Sequence, residues 1–332
     1  MVSIYSFLLL KNAKKTSCWG CKSSKVIRWG FQNKKQRFKC KSCGLLFTRQ
    51  NKAVSLNNRF SWFKKWITER QTLNNLSKRS GLTQRTLQTL FYQYLEKAPT
   101  FSVRPSNKAY LLIDGTYFTN DFCLILYKDN SIQYTQLYRF SDRERYEEMK
   151  EDLENLKKLG VSVASITCDG HKAILKAIKK VFRDVIVQRC IIHIQRMNLI
   201  WLTRYPKTQA GRDLRSIMLK LHTIDTHLKR DYWLVSLVKW HEQYNEFLKQ
   251  QSINPETGRK WYKHKLVRRA FMVTMKALPN MFHYLDDPMI PKSTNGLESF
   301  FSHLKNNLNV HRGMTLKHRK NYIKWYLYFK SN

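Results

Sequence analysis

Two cysteine pairs near the front of the chain, Cys18-x-x-Cys21 and Cys40-x-x-Cys43, stand 18 residues apart. Each Cys-x-x-Cys turn offers two thiolates to one side of a tetrahedron, and two turns at this spacing complete a four-sulfur shell around Zn²⁺. Between them, residues 25–30 and 37–41 pair as short strands, so residues 1–55 are predicted to form a zinc ribbon. Four sulfurs leave no open coordination position, which makes the zinc structural. Lys34, Lys35, Arg37, Lys39 and Lys41 then lie along the ribbon, where they either meet phosphates or form a solvated basic face.

Charge identifies the partner. The 332 residues include 61 Lys+Arg against 23 Asp+Glu, a formal net charge of +38. Hydrophobic content of 42% and aromatic content of 13% exclude an unfolded basic tail. A folded chain this cationic repels itself unless a polyanion relieves it, so double-stranded DNA is the expected partner, ahead of an anionic membrane surface. No run of about 18 apolar residues exists to span a bilayer. Residues 4–10 are apolar but lack a basic segment before them and a small-residue cleavage site after them, so a cytoplasmic location is expected. That location, and the charge, weigh against disulfides as the use of the paired cysteines. Residues 1–100 carry 21 Lys+Arg and only two acids, Glu69 and Glu96, and so hold half of the net charge. Nearly all the carboxylates available for chemistry lie in the rest.

From Phe60 to Leu95 the apolar residues recur at helical spacing. Leu73 and Leu76, then Gly81, Leu82 and Leu87 fit a helix, a tight glycine turn and a second helix capped by Thr83. Residues 56–98 are therefore predicted to be a helix-turn-helix, with Gln84, Arg85, Gln88 and Thr89 at the front of a recognition helix. An ordinary helical hairpin is the alternative. Ala98, Pro99, Thr100 and Pro105 mark a linker.

After the linker, residues 109–118, 122–128 and 132–140 read as strands. Ser141 and Glu144 have the spacing of a capping box, opening a helix that runs through Met149, Leu153 and Leu156 to a stop at Gly160. Residues 162–168 form a fourth strand, 171–181 a helix and 184–188 a fifth strand. This is the element order of an α/β, RNase H-like core. Asp114 interrupts an apolar strand, and Asp169 ends the fourth; each is followed by glycine, which alone would mark a turn. On adjacent strands the two could share divalent cations. A third carboxylate is expected from a late helix. Glu298 is placed for it, although Asn295 and Glu298 also have capping-box spacing, and Asp286, Asp287, Glu242 and Glu246 compete for the role.

Asp114-Gly115-Thr116, Asp169-Gly170-His171, Cys190-x-x-His193 and Thr294-Asn295-x-x-Glu298, in this order, resemble the DDE transposases of the Mutator-type family of bacterial insertion sequences. The resemblance covers about residues 109–330, and the ribbon resembles that of a subgroup of the family. It implies a first core segment at 106–200, an all-helical insertion at 201–285, which accounts for the step of 129 positions from Asp169 to Glu298, and final core helices with a basic-aromatic tail at 286–332. It also implies metal-dependent cleavage of element ends and strand transfer. Asp114 would bridge two Mg²⁺ (or Mn²⁺) ions, with Asp169 and Glu298 each completing the shell of one, and without a covalent protein intermediate. Cys190, His193, His171 and Asn295 would support the site. A second zinc shared by Cys190, His193, Cys168 and His171 is the other reading of the Cys-x-x-His spacing.

Tail residues 311–330 alternate cations with Tyr322, Trp325, Tyr326, Tyr328 and Phe329, which either stack on DNA bases or pack a helix onto the core. Joining two ends implies at least a homodimer in the DNA complex, in a prokaryotic, nucleoid-associated setting. Two other functions compete: a non-catalytic DNA-binding protein derived from a transposase, and an RNase H-like nuclease that cuts without joining.

Overall fold

The computed structural model describes residues 16–18, 20–48, 52–118 and 121–331; the apolar stretch 4–10 lies outside them. The chain divides into two units, Met1–Lys64 and Lys65–Asn332.

In the first unit, β1 (Val26–Gln32), β2 (Lys35–Cys40) and β3 (Leu46–Thr48) form an antiparallel sheet in that order. Asn33 and Lys34 both have positive φ, 48° and 61°, the left-handed pair that turns a two-residue hairpin in step with strand twist. Among the described residues, the buried cluster at this sheet is Cys18, Cys40 and Phe47, with Val26, Phe38 and Leu45 against it. A cluster this small offsets little of the entropy of ordering the sheet without a further tie. Helix α1 (Lys52–Thr68) contains the division between the units.

The second unit opens with the end of α1, then α2 (Leu73–Ser80) and α3 (Gln84–Leu95). Thr72 and Thr83 cap α2 and α3, each hydroxyl accepting from the N–H three residues on at 3.2 Å. Gly81, at φ 70°, ends α2 in the left-handed region that a side chain would resist. Trp66, Leu76, Leu87, Phe91 and Leu95 are buried among these helices.

A five-stranded sheet follows, built from β4 (Ser106–Phe118), β5 (Phe122–Asp129), β6 (Tyr134–Ser141), β7 (Val161–Cys168) and β8 (Ile186–Arg189), in the order β6-β5-β4-β7-β8. The first three strands are antiparallel; β7 and β8 run parallel to β4. β4 and β5 are apolar on both faces because both faces are covered. Leu111, Ile113, Ile125 and Tyr127 pack with Met149, Leu153 and Leu156 of α4 (Tyr146–Lys158) and Ile174 and Ile178 of α5 (Lys172–Val181). The opposite face of β4 meets α10 (Asn295–Asn309).

Three local expectations are corrected. Ser141 is the last residue of β6, and its hydroxyl donates to the Arg143 carbonyl; α4 starts five residues later with no side-chain cap, which frees Glu144 for another use. Asn295 is the first residue of α10, whose N-cap is Thr294, so Asn295 and Glu298 form no capping box. The segment 201–285 is not wholly helical. Between α8 (His227–Lys249) and α9 (Lys265–Ala277), strands β9 (Gln251–Ile253) and β10 (Lys260–Tyr262) form a hairpin, in which the Asn254 side chain accepts from the N–H groups of Glu256 and Thr257. The rest packs as helices: α6 (Ile191–Leu202) and α7 (Gln209–Leu219) join α8 and α9 around Leu214, Trp233, Trp240 and Phe271.

The tail forms α11 (Leu316–Ser331), and its aromatic residues are largely structural. Tyr322 and Tyr326 are buried. The Tyr322 hydroxyl donates to the Ile67 carbonyl at 2.9 Å, and the Trp325 indole to the carbonyls of Tyr94 and Lys97. Asn321 and Asn307 likewise donate to the Leu95 and Thr68 carbonyls. The last helices thus satisfy carbonyls that the ends of α1 and α3 leave unpaired. Replacing Leu87, fully buried in this cluster, with Ala should destabilise the chain by about 2–5 kcal/mol in urea unfolding. Gln88→Ala, on the exposed face of the same helix, should shift it by less than about 0.5 kcal/mol.

Candidate active site

Strand register brings the predicted residues together. Ile113 of β4 pairs with Cys168 of β7, and Cys168 with Arg189 of β8. The next residue on each strand is therefore Asp114, Asp169 and Cys190, three neighbours in a row across the carboxyl end of the parallel strands. Such strand ends are where open α/β sheets bind ligands. Period-two alternation turns Asp114 away from the α4–α5 face occupied by Leu111 and Ile113, toward α10. Glu298 sits in the first turn of α10, and His193 in the first turn of α6.

One ligand atom from each of Asp114, His193 and Glu298 lies within 4.8 Å of the others. His193 Nε2 is 3.7 Å from Glu298 Oε1, and Arg196, one turn along α6, donates to Glu298 Oε2. Glu298 Oε1 is shielded from solvent and has no hydrogen-bond partner. Burial pushes the Asp114 carboxyl up to about 7; the charges of Asp169 and Glu298 add to the rise and His193 opposes it. A cluster with an orphaned buried oxygen, a carboxyl kept from ionising, and oxygen and nitrogen donors at this spacing fits a divalent cation.

Cys190 and His193 act on each other. Cys190 is the N-cap of α6, and its sulfur accepts from the His193 N–H at 3.5 Å and the Thr294 N–H at 3.3 Å. Burial opposes its ionisation, but the hydrogen bond and charge of His193 outweigh burial and bring the thiol below its ordinary value. The bond to Cys190 in turn raises His193 to about 9, with the Cys190 and Asp114 charges adding to the rise. The Thr294 hydroxyl bridges the pair, 3.6 Å from the Cys190 sulfur and 3.3 Å from His193 Nδ1. If it donates to sulfur it accepts from Nδ1–H, which leaves Nε2 facing Glu298.

Asp169 lies beside this cluster: it acts on the charges of Asp114 and His193, while its Oδ1 accepts from the His171 N–H at 2.8 Å. It does not share the close spacing of the other three. Asn295, expected to support the site, is exposed; Thr294 takes that place. Cys168 and His171 do not converge with Cys190 and His193, so no second four-ligand cluster exists among the described residues. The competing acids are engaged elsewhere: Asp287 accepts from the Tyr110 hydroxyl, Asp286 pairs with His227, and Glu242 and Glu246 are exposed on α8.

Glu144 was missed. Its Oε2 lies 3.5 Å from His171 Nδ1, and burial, followed by the Asp169 charge, raises its carboxyl above the ordinary value. Its spacing from Ser141 concealed it. Arg189 was also missed: buried, it donates to the Asp169 carbonyl at 3.0 Å.

In the first unit, ligand atoms of Cys18, Cys21, Cys40 and Cys43 all lie within 4.8 Å of one another. Sulfur–sulfur separations are 3.6 Å for Cys18 and Cys43, and 3.5 Å for Cys21 and Cys40. A tetrahedron with Zn–S near 2.3 Å has edges of about 3.8 Å, so the group could hold a structural zinc. Lys34 and Lys35 are exposed at the hairpin tip, Arg37 and Lys39 are half-buried on β2, and Gln84, Arg85 and Gln88 are exposed along α3.

The purified chain is expected to carry one zinc, measured by metal analysis, and Cys40→Ser to lose it. At the acidic cluster, a bound cation must displace protons from Asp114 and His193. These groups hold them below about 7 and about 9, so Mn²⁺ affinity should rise from pH 6 to pH 8 in calorimetric titration. A flat profile would contradict the assignment.

Residues 137–257 match the family model described as Transposase, Mutator family. The matched span contains Glu144, Asp169, Cys190, His193 and Arg196; Asp114 and Glu298 lie on either side of it. No curated protein matches the chain. The family match supports a Mutator-type transposase.

Proposed function

We propose that this protein cleaves the ends of a mobile DNA element and joins them to target DNA by in-line phosphoryl transfer on an RNase H-like core. The observation that carries the reading is the convergence of His193 and Glu298 on Asp114 of β4, with Asp169 just past the end of the adjoining β7. The sheet order, three antiparallel strands and then two parallel ones, supports the RNase H-like assignment.

Asp114, Asp169 and Glu298 would hold Mg²⁺ or Mn²⁺. Bound there, divalent cations supply charge stabilisation at phosphoryl oxygens and an activated nucleophile. The chain's own groups prepare the place. Asp114 and Glu298 present oxygens from a strand and a helix. His193, fixed by Cys190 and Thr294, holds a proton facing Glu298 and gives it up as positive charge arrives. Arg196, about half exposed beside Glu298, offers a guanidinium to an incoming phosphate.

DNA is held by the cationic surface. Lys34, Lys35, Arg37 and Lys39 of the zinc ribbon contact phosphates, and α2 and α3 act as a helix-turn-helix in which Gln84, Arg85 and Gln88 reach the major groove. Among the described residues no helix is long and apolar enough to cross a membrane. Two ends joined in one reaction require at least two copies of the chain.

Single Ala replacements of Asp114, Asp169 and Glu298 should lower strand joining by at least about 10³-fold while DNA binding persists. The assay is joining of labelled element ends to a plasmid in Mg²⁺. Cut but unjoined ends from the unmodified chain would instead indicate a nuclease, and binding without cutting a non-catalytic DNA-binding protein.

A further inference from the structure

Glu144 sits between β6 and α4, makes no capping bond, and turns its carboxylate inward against Gly115 of β4 and against His171 of the Asp169-Gly170-His171 turn. Its Oε1 lies 2.3 Å from the point that a Cβ on Gly115 would occupy, closer than two such atoms can come. Its Oε2 is 3.5 Å from His171 Nδ1, and the His171 N–H donates to Asp169 Oδ1 at 2.8 Å. Glu144 therefore touches the residue after Asp114 and is linked to Asp169 through one histidine. On the other side of the Asp169 turn, Gly170 is at φ 84°, and a Cβ there would fall 1.8 Å from Arg189 Nε. Each glycine thus leaves room for a charged side chain: Glu144 over Gly115, Arg189 over Gly170.

Holding Glu144 here opposes two costs, burial and the neighbouring charge of Asp169. Solvent was available to it, because the adjacent Arg143 and Arg145 are exposed. An acid kept in such a place without a helix to cap calls for a local function.

Resting on the transposase reading, we propose that Glu144 is a positioning residue. It fixes the His171 ring, and through it the Asp169-Gly170-His171 turn, so that the Asp169 carboxylate is aimed at the cation-binding cluster. Gly115 is glycine because a side chain there would evict Glu144. Arg189 steadies the same turn from its carbonyl side.

The test is Mn²⁺ binding by electron paramagnetic resonance, alongside strand joining, for the unmodified chain and for Glu144→Ala, Glu144→Gln, Gly115→Ala and the Gly115→Ala/Glu144→Ala double variant. Glu144→Ala should weaken Mn²⁺ binding about 10- to 100-fold, the usual cost of losing a group that orients a metal ligand. Joining should then recover as Mn²⁺ is raised. Glu144→Gln, whose amide oxygen can still accept from His171, should stay close to the unmodified chain, and it carries the test should the Ala variant unfold. Gly115→Ala should reproduce Glu144→Ala, and the double variant should be no worse than either single one. Normal Mn²⁺ binding by folded Glu144→Ala, additive losses in the double variant, or a loss in Glu144→Gln as large as in Glu144→Ala would each overturn the positioning role. Absence of Mn²⁺ binding by the unmodified chain would overturn the transposase reading, and this proposal with it.

Discussion

The pairing of Ile113 with Cys168, and of Cys168 with Arg189, sets where everything at the site can be. Side chains alternate along a strand, so a slip of one residue between β4 and β7 would turn Asp114 and Asp169 to different places and bury one of them in the core. The register is held by the apolar set Leu111, Ile113, Ile166 and Cys168, which packs against α4 and α5. The hydrophobic core thus fixes the distance between two charged groups that take no part in it. The same row places Cys190 at the start of α6, which sends His193 and Arg196 back toward Glu298.

Electrostatics at this row run against the rest of the molecule. With a net charge of +38, cations far outnumber carboxylates along the chain. Here Asp114, Asp169, Glu144 and Glu298 crowd into partly buried positions, with His193, His171, Arg196 and Arg189 near them. Burial keeps Asp114 from ionising easily, and Cys190 keeps His193 protonated. Without a divalent cation the cluster would also repel a phosphate. Under the proposed function, the chain as a whole would attract DNA while its acidic row would reject it, and a divalent cation would reconcile the two.

Much of this was legible in the sequence, for physical reasons. An acid inside an apolar run, as Asp114 is within Leu112 to Gly115, conflicts with burial and therefore stands out. The cysteine pairs have one efficient geometry, and Gly81 and Thr83 signal their turn and cap unambiguously. What stayed hidden depended on tertiary placement. Glu144 carried capping-box spacing from Ser141, and only the extension of β6 through Ser141 moved it off the helix. Asn295 looked like a cap because its side chain suits one, but the hydroxyl of Thr294 is the group that reaches Cys190 and His193. The tail's alternation of cations and rings left two readings open, stacking on bases or packing on the core, and Tyr322 and Trp325 take the second through carbonyl partners on α1 and α3. Sequence spacing cannot distinguish an exposed ring from one that has a neighbour 200 residues away.

Anomalous diffraction from crystals grown with Mn²⁺ tests directly whether Asp114 and Glu298 share a cation at the strand-end row. A shared site gives a Mn²⁺ peak within bonding distance of both carboxylates, with Glu298 Oε1 among the ligands. Mn²⁺ bound elsewhere on the chain, with the Asp114 and Glu298 oxygens without metal, would contradict a shared site.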